Sequence, residues 1–131
     1  VIRLVREPID VEAVRRSVEA PGLGGVVVFC GQVRNETGSQ ITDRLEYEAY
    51  EEMALSEMKR IACEAQDRFR AAVAMVHRLG VLLPGETAVV TAAACEHRES
   101  AFACCRFLID ALKSDVPIWK KEVGPNGEEW V

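Results

Sequence analysis

Thr87-Ala88-Val89-Val90-Thr91-Ala92-Ala93-Ala94 carries no charge over eight residues and is small or β-branched throughout. That composition predicts a buried strand. After Cys95-Glu96 comes His97-Arg98, and then a run in which Ala101, Cys105, Leu108, Ile109 and Leu112 recur at helical spacing. This predicts a helix from Arg98 to Lys113 with one apolar stripe facing inward. A strand feeding such a helix already implies layers of both kinds around one core.

Toward the C-terminus, Leu112-Lys113-Ser114-Asp115-Val116-Pro117-Ile118-Trp119-Lys120-Lys121-Glu122 ends the helix on a lysine and breaks at a proline. The chain then extends over 118–123. Pro125-Asn126-Gly127 is a tight turn from which 128–131 returns as a hairpin. Toward the N-terminus, 73–79 is a strand and Leu83-Pro84-Gly85-Glu86 a turn. Residues 51–70 place apolar side chains at 54, 55, 58, 61, 62, 65 and 69, an amphipathic helix. Leu45-Glu46-Tyr47-Glu48-Ala49-Tyr50 alternates, as a strand with one wet face does. Arg34 to Gln40 is a polar loop. Val26 to Val33 is a continuous β-rich run and is predicted as a central strand. Pro21-Gly22-Leu23-Gly24-Gly25 breaks a helix that Asp10 caps, which runs to Ala20 with Val11, Val14 and Val18 on one face. Ile2–Val5 is a short strand. The order β-α-β-β-α-β-β-α-β-β predicts an α+β fold, helices packed on a mixed, largely antiparallel sheet, in a single domain over 1–131.

With 16 basic and 21 acidic residues the formal charge is −5, which argues against nonspecific nucleic-acid binding. No apolar run reaches the roughly 18 residues of a membrane span, and no secretory leader is visible. The five cysteines, at 30, 63, 95, 104 and 105, are odd in number and lack Cys-x-x-Cys spacing. They are read as reduced thiols, which places the chain in the cytoplasm. With His77 and His97 the only histidines, no metal site and no cofactor are expected. Dinucleotide, Walker and nucleophile-elbow motifs are absent from the sequence. Gly22-Leu23-Gly24-Gly25 precedes a strand and is a turn. Glu46, Glu48, Glu51 and Glu52 are read as structural or interface charges.

Three basic groups remain. Arg34 leaves a strand for a loop, where a guanidinium fork on a rigid support suits phosphate or carboxylate. It is equally an ordinary surface arginine. His97-Arg98 stands at a helix start, whose free N–H groups favour anions, or is a solvated helix end. His77 repeats the His-Arg pair inside a strand and is read as structural. Lys113, Lys120 and Lys121 form the third group. Trp119 and Pro117 can wall a pocket there and desolvate an ammonium, which lowers its pKa and suits it to proton transfer. The plain alternative is a basic rim. Lys120 and Lys121 are neighbours on an extended segment, so only one faces a given pocket, and Lys121 is expected to point away. Fifteen helical steps separate Arg98 from Lys113, about 22 Å at 1.5 Å per residue. Within one chain the two cannot share a small pocket, whereas a two-fold dimer can bring opposite helix ends together.

Five segments in register, Phe29-Cys30-Gly31-Gln32-Val33-Arg34-Asn35, Leu45 to Ala54, Val76-His77-Arg78-Leu79-Gly80, His97 to Phe102, and Leu112 to Glu122, resemble the large, catalytic subunit of molybdopterin synthase. The resemblance spans about residues 25 to 130. It implies an α/β-hammerhead-type fold with a small additional β subdomain. It also implies a central homodimer with a small ubiquitin-like sulfur-carrier subunit at each end, a heterotetramer. The small subunit's C-terminal Gly-Gly thiocarboxylate then donates sulfur to cyclic pyranopterin monophosphate, forming the molybdopterin dithiolene. On the same ground Lys113 and Lys120 match catalytic lysines, Arg34, His97 and Arg98 substrate-binding residues, and Phe29 a pocket residue. Glu96, beside His97, departs from the small uncharged residue expected there. Without the resemblance, two other classes compete. One is a noncatalytic adaptor for a Gly-Gly tail. The other is a stand-alone lysine enzyme acting on a phosphorylated metabolite.

Overall fold

The computed structural model describes residues 1–131, the side chain of Thr37 excepted. In chain order the elements are β1 (Ile2–Val5), α1 (Val11–Ser17), β2 (Gly25–Gln32), β3 (Glu36–Thr37), β4 (Gln40–Ile41), β5 (Arg44–Ala49), α2 (Glu51–Phe69), β6 (Ala72–Arg78), β7 (Gly80–Leu82), β8 (Thr87–Cys95), α3 (Arg98–Asp115), β9 (Ile118–Gly124) and β10 (Gly127–Trp130).

The uncharged run of β8 is buried from Ala88 to Cys95 because helices cover both of its faces. Its sheet has the order β1-β6-β8-β2, with β1 parallel to β6 and the other pairs antiparallel. Val73 and Met75 of β6 and Val89, Ala93 and Cys95 of β8 pack with Met58 and Ile61 of α2 and Leu108 and Leu112 of α3. The alternate residues, Ala74, Val76, Val90, Ala92 and Ala94, pack on Val14 and Val18 of α1. The period of two along each strand thus assigns one row of side chains to each helical layer. Asp10 caps α1 by accepting from the Ala13 N–H at 3.0 Å. The helix ends at Ser17, short of Ala20.

A second, fully antiparallel sheet has the order β10-β9-β5-β7. The turn after β9 holds two residues, Pro125 and Asn126, and closes on Gly127 at φ +109°. Val33, Leu45, Leu82 and Ala88 form a small core where the two sheets meet.

The α+β expectation holds, with corrections in detail. β2 is an edge strand, not a central one. A continuous apolar run reports helix contact on the faces, and α3 packs on β2 while α1 touches it more sparsely. It does not report the lateral neighbours, and Val26 and Phe29 remain 38% and 40% exposed. The polar segment after Arg34 contains a short hairpin, β3 with β4. β7 was too short to carry a readable period. Cys104 and Cys105, adjacent on α3, are both buried, Cys105 against Thr91 of β8.

Candidate active site

The junction of the two sheets leaves a groove of about 340 Å³. Each wall is set by an identifiable piece of local structure. Lys113 comes from the last turn of α3, where a cation is favoured by the helix dipole. The buried neighbours Leu112 and Val116 fix the rotation of that turn. Lys120 comes from β9, directly opposite Tyr47 of β5, so both side chains stand on one face. Leu45 and Glu122, the next pair along, share that face. Arg34 follows Val33, which is pinned by two backbone bonds, to the Glu86 carbonyl at 2.9 Å and from the Gly85 N–H at 2.8 Å. Phe29 and Gly31 of β2 supply the remaining wall. A Cβ on Gly31 would lie 2.6 Å from Val89 Cγ1, so the absent side chain keeps the floor open.

A smaller hollow of about 130 Å³ continues from the groove, sharing Tyr47, Val89, Lys113 and Lys120 with it. Trp119, His77 and Ile118 line its far side. Trp119 packs edge-on against Tyr50, ring centroids 4.9 Å apart.

Burial, and then the charge of Lys113, push the Lys120 pKa below the ordinary lysine value; Arg34 adds to this and Glu122 opposes it. A half-buried ammonium among other cations therefore gives up its proton more readily than a surface lysine. Burial also holds Tyr47 above the usual phenol range, with the Glu122 charge adding to it. His77, 5% exposed, is brought down to about 4, first by burial, and its Nδ1 lies 2.7 Å from the Arg78 carbonyl. Lys121 points to the other face, toward Glu46 at 3.6 Å, Glu128 at 3.4 Å and the Trp130 ring.

Of the six residues singled out from sequence, Phe29, Arg34, Lys113 and Lys120 meet in this groove. His97 and Arg98 do not. They stand at the opposite end of α3, with Gly24, Glu96 and Glu99, around a shallow open depression. There a Cβ on Gly25 would come within 3.1 Å of the Arg98 N and Cα, so β2 starts in direct contact with the helix start. His97 Nε2 is 3.4 Å from Glu96. Tyr47, His77 and Glu122 were missed as lining residues. The alternation of β5 and β9 was the signal for Tyr47 and Glu122, since each lies two residues from a recognised inward position. Among the described residues no group of acidic, histidine and cysteine side chains could hold a metal, and no helix is long and apolar enough to cross a membrane.

The chain matches the family model described as MoaE protein over residues 4–115. It is 41% identical over 133 residues to the molybdopterin synthase catalytic subunit of Pyrococcus abyssi, covering 99% of this chain and 90% of that protein. The crystal structure of molybdopterin synthase from Staphylococcus aureus superposes with a TM-score of 0.94 at 37% identity, over 98% of this chain and 94% of that one. A complex of subunits 1 and 2 of the molybdopterin-converting factor from Helicobacter pylori shares the fold, with a TM-score of 0.83 at 22% identity over 100% of this chain and 90% of that chain.

Proposed function

The chain belongs to the MoaE protein family and functions as a molybdopterin synthase catalytic subunit, and we propose that the groove between its two sheets is where sulfur is transferred. The donor is the C-terminal Gly-Gly thiocarboxylate of a small ubiquitin-like subunit. The acceptor is cyclic pyranopterin monophosphate, which takes up two sulfurs and becomes the dithiolene. The observation that carries this reading is the convergence of Lys113, Lys120 and Arg34 in one groove of a chain with net charge −5. Phosphate and thiocarboxylate are both anions, and both require cations on arrival. The hollow of about 130 Å³ beyond the lysines, walled by Trp119 and Ile118, is where a Gly-Gly tail, which has no side chains, would enter.

Lys120 acts in proton transfer, for which its lowered pKa suits it. Lys113 holds the thiocarboxylate and the charge that develops. Arg34 binds the acceptor and Phe29 walls the pocket. His97 and Arg98 complete the site from a second copy of the chain, since one α3 holds them about 22 Å from its own Lys113. The span 1–131 works as one domain, in a homodimer within a heterotetramer. Among the described residues all five thiols are unpaired, which supports a cytoplasmic setting.

The test combines the chain with the thiocarboxylated small subunit and cyclic pyranopterin monophosphate and measures dithiolene product by mass. Product is expected, with loss on Lys120→Ala. Unchanged sulfur transfer in Lys120→Ala sinks the role of Lys120. Full activity in a strictly monomeric variant sinks the shared site.

A further inference from the structure

His77 lies in the row Val73–Met75–His77 on the face of β6 that packs under α2 and α3. The row ends where Lys113 of α3 and Lys120 of β9 enter, and all three residues line the 130 Å³ hollow. The ring is locked in place. Tyr47 packs edge-on at 5.0 Å, and Nδ1 is 2.7 Å from the Arg78 carbonyl. A carbonyl oxygen only accepts, so Nδ1 carries the hydrogen and donates. The neutral ring then has its lone pair on Nε2, and Nε2 is the nitrogen left for the hollow. The titratable groups that face the ring are Lys113 from α3, Lys120 from β9 and Tyr47 from β5; β8 contributes Val89.

We propose that His77 is a positioning residue for sulfur transfer: its Nε2 faces the hollow that Lys113 also lines, and in the loaded complex it accepts a hydrogen bond from the Lys113 side chain and aims that group into the groove. This rests on the function proposed above and assigns the two lysines different tasks. The charge of Lys113 is the largest electrostatic cause, after burial, of the lowered pKa of Lys120, so where Lys113 is aimed matters to both. A buried ring that resists protonation is suited to the task, because an imidazolium at this position could only repel both lysines.

The test uses the full complex with thiocarboxylated partner and acceptor. His77→Phe keeps a ring but removes both nitrogens. It is expected to lower kcat on the order of 100-fold, the scale for a misplaced catalytic group, with the KM for the partner little changed. The acid limb of its rate profile should move to higher pH. His77→Gln, whose amide oxygen can replace the Nε2 acceptor, is expected to recover most of kcat. Wild-type kcat and pH profile in His77→Phe overturn the proposal. So do equal losses in both variants that merely follow the folded fraction. A measurement on the unaltered fold guards against variants that do not fold. With ¹⁵N-labelled histidine, Nε2 of His77 should be unprotonated and should change its shift in Lys113→Met; a protonated Nε2 or an unmoved signal refutes the assignment. His97, the chain's other histidine, has an exposed side chain and serves as the internal reference. Full activity in both Lys113→Ala and Lys120→Ala defeats the site reading itself, whereas inactive lysine variants beside a fully active His77→Phe defeat only this inference.

Discussion

Acidification offers a direct test of how deeply His77 is built into the fold. Its ring has a pKa of about 4 in the folded chain against an ordinary value of 6.5, with burial the first cause and the charges of Lys113 and Lys120 adding to it. Between those values the unfolded chain binds the proton and the folded chain refuses it, so stability falls as pH drops through the window. The contribution is intact above pH 6.5 and fully lost below pH 4. The gap corresponds to about 3 kcal/mol in total. Of this, about 2 kcal/mol is lost between pH 7 and pH 5. For a chain of 131 residues that equals a fall of about 6 °C in Tm. The assay is urea or thermal unfolding of wild type and His77→Phe at fixed protein concentration, at pH 7 and pH 5. This interval limits the contribution of carboxylates, which titrate mainly below it. The variant should be less stable at pH 7, because the Nδ1 donor is gone, yet should lose about 2 kcal/mol less on acidification. Parallel losses in the two proteins would mean that the ring titrates normally, and both its burial and its place beside the lysines would have been misread.

Gly124→Ala should destabilise by at least about 1–3 kcal/mol, the range for overpacking, because its Cβ would lie 2.3 Å from the Ile41 carbonyl oxygen, a backbone atom that no rotamer change removes; calorimetry checks this, and an unchanged Tm refutes it. Gly31→Ala should weaken acceptor binding and lower stability, since its Cβ would lie 2.6 Å from the buried Val89 side chain at the groove floor; an unaltered KM in the folded variant would show that the floor is not used. Lys113→Met should raise the Lys120 pKa only part of the way toward its ordinary value, because burial is the larger cause and remains; an NMR titration of labelled lysine Nζ reads it. Thiol titration should find Cys30 and Cys63 fast and Cys95, Cys104 and Cys105 protected until unfolding, with burial pushing Cys104 up to about 12; more than two fast thiols would contradict the packing of α3.

The elements with long periods were legible. The stripe of α3 and the uncharged run of β8 appear where the sequence placed them, because each records burial directly along the chain. What the sequence cannot record is adjacency. β2 carries the same apolar signal as a central strand because covered faces, not lateral partners, select for apolar residues. β7 and the hairpin β3–β4 are held by pairing and by glycines at positive φ, Gly80 at +93° and Gly38 at +64°. Segments of two or three residues leave no period to detect.

The site was legible in chemistry and only partly in geometry. Four of the six chosen residues, Phe29, Arg34, Lys113 and Lys120, come together because the ends of β2 and α3 and the middle of β9 reach the same sheet junction. The structural reading of His77 came from its strand position, which fixes the face a side chain takes and not what shares the space beyond it; Lys113, which lines the same hollow, comes from thirty-six residues further along the chain. His97 and Arg98 follow a different logic. A straight helix is a ruler, and the length of α3 alone sets about 22 Å between Arg98 and Lys113. No rearrangement of side chains closes that distance. If both ends of α3 serve one reaction, a second copy must supply one of them, so the helix that builds the core also dictates that the active unit contain at least two copies of the chain. A variant held monomeric yet retaining the groove should therefore still bind the donor tail and fail with the phosphorylated acceptor, a dissociation of two binding steps that a self-sufficient monomer would not show.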